Sequence, residues 1–128
     1  IVVCVSHVVC MNIVRSFAIK NLIGQLTILN PDKIMGDVEE TVSKLEILED
    51  TTYSIDQKKM LYIHMCVMVE RLILEKGRLP QEDMTDDLKC RESFIKNLKE
   101  SFSVIENKYT VSLNEREILM IYYLTENN

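Results

Sequence analysis

The chain has 128 residues, room for one ordinary domain and too few for two full ones. Its 47% hydrophobic and 27% charged residues lie near the globular average, and 3 Gly and 2 Pro are too few for a disordered, collagen-like or turn-dense chain. With 15 Lys and Arg against 20 Asp and Glu the formal net charge is −5, the wrong sign for gripping nucleic acid or an anionic bilayer by charge, so no direct nucleic-acid binding is expected.

The chain opens on Ile1 and not on Met, and is expected to be a piece of a longer protein. Ile1–Cys10 is dense in Val and Ile, which favour a strand, but no partner strand is in view and its conformation stays open. The apolar opening is interrupted by Ser6, His7 and Asn12. It has no basic leader and falls short of the roughly 18 to 20 residues that cross a bilayer, so neither a signal peptide nor a membrane span is expected. Cys4, His7 and Cys10 offer soft ligands at equal spacing. Zinc also needs a fourth ligand and a tight turn, no Gly or Pro lies among them, and in a strand His7 would point away from the two cysteines, so no metal site is expected. The four cysteines, at 4, 10, 66 and 90, lack the close-set framework of small secreted domains and read as free thiols in a reducing cytoplasm.

From Asn12 to about Leu29 the apolar residues Ile13, Phe17, Leu22, Ile23, Leu26 and Leu29 recur at helical intervals. Asn30-Pro31-Asp32 interrupts them, and Asp32 is placed to cap a second helix through Ile34, Met35, Val38, Val42, Leu45 and Leu48. Ser54 and Gln57 form a capping-box pair that opens the longest apolar-periodic stretch, and Gly77 and Pro80 mark its end. The acidic segment from Pro80 to Asp87 reads as a solvated loop. A fourth helix is expected at about Cys90–Asn107. Asn114 with Glu117 caps a last one through Ile118, Met120, Ile121, Tyr122 and Leu124. The reading is all-α, a five-helix bundle over 21–128, with residues 1–20 as a short apolar lead-in or the tail of a preceding domain.

The stretch from Lys59 to Leu74 is apolar over more than half its circumference and must be buried or face a partner. His64 shares a stripe with Leu61, Met68 and Arg71, which puts an imidazole and a guanidinium on one side two turns apart. Two roles fit. His64 can be a core histidine, with Arg71 paired to an acidic residue of the next helix, or it can be a nucleophile that takes a phosphoryl group matched by the Arg71 cation. No Gly-rich phosphate loop, Gly-x-Ser-x-Gly elbow or His-Glu-x2-His pair occurs, so neither an enzyme nor a cofactor is indicated.

Taken together, Leu29-Asn30-Pro31-Asp32-Lys33, the helix Leu61–Ile73 with His64 seven residues before Arg71, the run Val104–Val111, and Asn114-Glu115-Arg116-Glu117-Ile118 resemble the PRD family over about residues 21–127. These are the helical regulation domains that the bacterial phosphotransferase system (PTS) controls in antiterminators and transcription activators. The Asn-Pro-Asp loop is most similar to the C-terminal PRD of levanase- and mannose-type activators. The resemblance implies a cytoplasmic, often dimeric five-helix bundle that works with other domains of the same regulator. It also implies a helix-borne phosphoacceptor, here His64, modified by HPr or a sugar-specific enzyme IIB, with Arg71 as the neighbouring cation. Many PRDs carry a second histidine seven residues after an acidic residue of the final helix. Counting seven from Glu115 lands on Tyr122, which cannot serve in its place. The competing expectation is a constitutive helical dimerisation domain with a structural histidine.

Overall fold

The computed structural model of the chain describes residues 2–75 and 91–126, with side chains from residue 11 onward. Gly77, Pro80, the acidic segment ending at Asp87, and Cys90 lie outside the described residues. Among the described residues there are five helices, in chain order α1 (Val2–Leu22), α2 (Pro31–Leu48), α3 (Ile55–Leu74), α4 (Glu92–Tyr109) and α5 (Glu115–Glu126). No strand occurs among the described residues, and the all-α reading holds.

Helix α1 differs most from expectation. It begins at Val2, so the segment read as a possible strand and lead-in is helical, and it ends at Leu22 and not near Leu29. Its buried stripe is Val14, Ala18 and Leu22, whereas Ile13 is 57% exposed and Phe17 43%. That stripe faces the bundle, where α1 packs against α3 and α2. Phe17 lies under the Lys59 ammonium, 4.5 Å from the ring centroid. Cys4, His7 and Cys10 lie on this helical backbone, so the alternation expected of a strand does not apply to them.

The other helix starts follow local chemistry. Asn30 caps α2: its Oδ1 accepts the N–H groups of Asp32 and Lys33, and Pro31 takes the first helical position, where a missing N–H costs nothing. The expected cap, Asp32, is instead an acidic first-turn residue. At α3 the capping box is complete, with the Gln57 N–H donating to Ser54 Oγ at 3.1 Å and the Ser54 N–H to Gln57 Oε1 at 2.8 Å. Asn114 Oδ1 accepts the Glu117 N–H at 2.9 Å and starts α5. Thr110 closes α4 in the left-handed conformation, φ 56°.

Helix α3 packs against α1, α2 and α5, and α2 also packs against α4. Tyr62, Met65, Met68, Leu45, Phe102 and Ile121 are fully buried where these helices meet. Helix α3 is therefore held on several sides, and its side chains reach most of the molecule.

Candidate functional site

His64 lies midway along α3, beyond the buried Leu61 and a turn before the buried Met68, where the stripe turns toward α5. Its side chain is 19% exposed and its Nε2 lies 3.8 Å from Glu117 Oε2. That nitrogen is buried and has no hydrogen-bond partner. Two turns on, Arg71 sends its guanidinium back toward the amino end of α3, as helical side chains do. Its Nη2 donates to both oxygens of Glu117, at 2.6 and 2.8 Å. The Glu117 side chain is 3% exposed. The carboxylate thus sits between the imidazole and the guanidinium.

Burial pushes the His64 imidazole below its ordinary pKa; the Glu117 charge pulls it up and the Arg71 charge pushes it down again, and the net displacement is downward. The ring is neutral at pH 7, so His64 and Glu117 form no ion pair. A neutral imidazole offers a nucleophilic lone pair, and the cation beside it matches an incoming oxyanion. His64 and Arg71, singled out by their spacing, are brought to one site.

Glu117 was missed as a site residue. Its place three residues after Asn114 marks it as a cap companion, and pairing with a residue 46 positions away depends on how α3 and α5 pack. Glu70 was also missed. It is 5% exposed, and its Oε1 accepts the backbone N–H groups of Thr27, Ile28 and Leu29 at 2.9, 2.6 and 3.0 Å. Burial alone would raise the Glu70 carboxyl, but the donors on Ile28, Thr27 and Leu29 outweigh it and hold the group below the usual carboxylate range. An acidic residue on a largely apolar helix must be paired if it is buried, but the sequence names neither the burial nor the partner of these two.

Tyr122, where the resemblance would place a second histidine, packs edge-on against Phe94, with centroids 5.2 Å apart, and lies under the Arg91 guanidinium at 4.4 Å. It fills space between α4 and α5. Cys66 is a buried free thiol on α3, and burial pushes its pKa up to about 12. As a nucleophile it is inert.

Compared with known families, residues 39–128 match the family model described as PRD domain. The chain belongs to the PRD domain family. The PRD match takes in the rest of α2 and all of α3, α4 and α5, including His64, Arg71 and Glu117. Over 115 residues the chain is 25% identical to the transcriptional regulatory protein DagR of Salmonella typhimurium (strain 14028s / SGSC 2262), a span that is 89% of this chain and 12% of that protein. No solved structure is a significant match. Among the described residues of this PRD, no helix is long and apolar enough to cross a membrane.

Proposed function

We propose that this PRD is the PTS-controlled module of a bacterial transcriptional regulator, phosphorylated on His64 to couple sugar supply to transcription. The observation that carries the reading is the unpartnered Nε2 of a neutral histidine beside a guanidinium. A core histidine kept only for structure usually has its buried nitrogen bonded. The phosphodonor is HPr or a sugar-specific enzyme IIB. The imidazole lone pair attacks phosphorus, the bond from phosphorus to the donor's phosphorylated side chain breaks, and its electron pair returns to that donor atom. No metal or cofactor enters the step, and the module needs no enzymatic activity of its own.

The phosphoryl group brings about −1.5 to −2 of charge to a largely apolar helix, and the response is a change in how the bundle associates, either as a homodimer or with other domains of the regulator. Such a regulator is cytoplasmic and reaches nucleic acid through other domains. Placement among levanase- and mannose-type activators rests on the Asn30-Pro31-Asp32 loop. A second reading, a constitutive dimerisation domain, is favoured by the Arg71 cation being already paired with Glu117.

Labelled phosphoenolpyruvate, enzyme I, HPr and a panel of enzyme IIB proteins separate the two. An acid-labile, base-stable label on His64 supports the switch. Stoichiometric label on the His64→Ala variant, or none on the wild type with the whole panel, rejects it.

A further inference from the structure

We infer that Glu117 is a positioning residue that holds the His64 site shut, and that the phosphoryl group takes its place on Arg71 and so releases the first turn of α5. The inference rests on the proposed role of His64 as acceptor. Its starting point is the arrangement of three side chains. His64 Nε2 is buried and looks at Glu117 Oε2 across 3.8 Å. A phosphoryl group bonded to that nitrogen would place its oxygens where the carboxylate now lies. Glu117 and the phosphoryl group cannot share the space, and their like charges would repel.

Arg71 decides which anion stays. It now spends Nη2 on both oxygens of Glu117. A phosphoryl group offers it roughly twice the charge and three acceptor oxygens, so the guanidinium gains by exchanging partners. Glu117, once displaced, is a buried carboxylate without its cation and has to move toward water.

The fold makes that movement possible. Glu117 lies in the first turn of α5, a helix of 12 residues. The connection from α4 is short, and it is tied by the left-handed Thr110 and by the Leu113 N–H donating to Glu106 Oε2 at 3.1 Å. These ties keep any loosening local, so that the first turn of α5 moves without carrying α4 along, while α3 stays clamped through Glu70 to the α1–α2 connection. Attack by Nε2 needs the same opening, because a donor cannot approach a buried nitrogen in line.

The test uses the full chain and phosphoramidate, a small donor that phosphorylates histidine without a protein partner. Glu117→Gln keeps the shape of the side chain and removes its charge. It should raise the rate of Nε2-phosphohistidine formation at His64 at least tenfold over wild type, read by phosphorus NMR. In the wild-type chain, phosphorylation should speed hydrogen exchange of the Ile118 to Ile121 amides at least tenfold and leave the α2 and α4 amides unchanged. The exchange measurement needs no variant and decides the matter even if Glu117→Gln does not fold.

Equal rates in the two proteins, or α5 exchange unaltered by a phosphoryl group shown to be on His64, would overturn the latch and leave His64 as acceptor. If neither folded protein is labelled at His64 while the urea-unfolded chain is, the acceptor assignment falls and the latch falls with it.

Discussion

Removing the Glu70 carboxylate leaves three backbone N–H groups between α1 and α2 without an acceptor. Glu70→Ala should cost about 2 kcal/mol, below the sum of three charge-assisted bonds because water reaches the half-exposed loop and partly replaces the carboxylate. Glu70→Gln keeps one oxygen able to face all three donors and should lose less than half of that; urea denaturation of the two variants measures the difference. His64→Ala should cost no more than about 1–2 kcal/mol, since its Nε2 has no bond to lose. It should also leave the chain unable to accept phosphate at this site. The fully buried Cys66 should resist a thiol reagent in the native state and react at once in denaturant. His64 and Arg71 were legible in the sequence because both sit on one helix, where a separation of seven residues fixes a common face. Glu117 and Glu70 were not, because their partners lie on other elements and only the packed helices bring them near.

At the scale of the elements, Thr110 holds a left-handed conformation that a β-branched residue adopts at a cost. Thr110→Gly should therefore stabilise the domain by about 0.5–1 kcal/mol, after the extra freedom glycine gives the unfolded chain is subtracted; a rise in thermal midpoint is the expected sign. Ser54→Ala breaks the capping box of α3 and should destabilise by about 1 kcal/mol. These helix ends were readable from short patterns because caps are local: Ser54 with Gln57, and Asn114 with Glu117. Asn30 was passed over for Asp32, since both can cap and Pro31 between them settles which position comes first. The start of α1 was not readable. Val and Ile run through Ile1–Cys10 without a polar face, so no helical period stands out, and their intrinsic preference points to a strand. The same helix shows why periodicity alone did not choose the buried face: Ile13 and Phe17 fit the 3.6-residue spacing, but the packed stripe runs through Ala18.

For the molecule as a whole, two displaced groups give stability the same dependence on pH. The His64 imidazole lies below its ordinary value of 6.5, so the unfolded chain takes up its proton first. Its contribution is complete above about pH 6.5 and is lost as pH falls through the lower folded value. The Glu70 carboxyl lies below 4.5, and its contribution is complete above that pH and is lost on further acidification. Each of these two groups should thus take stability away on acidification, against an opposing gain from Glu39, whose carboxyl burial raises in spite of Arg15. The contributions are separated by variants: His64→Gln should flatten the loss at about pH 6 and Glu70→Gln the loss below pH 4.5, and a variant curve that matches the wild type would contradict the assignment. The adjacency of Glu70 and Arg71 has a further consequence. As neighbours on α3 they leave the helix about 100° apart, one reaching the α1–α2 connection and the other α5. One residue inserted between His64 and Glu70 would rotate everything beyond it by about 100° and carry it about 1.5 Å along the axis. Both attachments and the alignment of imidazole with guanidinium would then fail together. The length of this helical segment is fixed more strictly than the identity of most of its residues, and insertion scanning should find a sharp boundary there, with tolerance returning in the turn before Ser54.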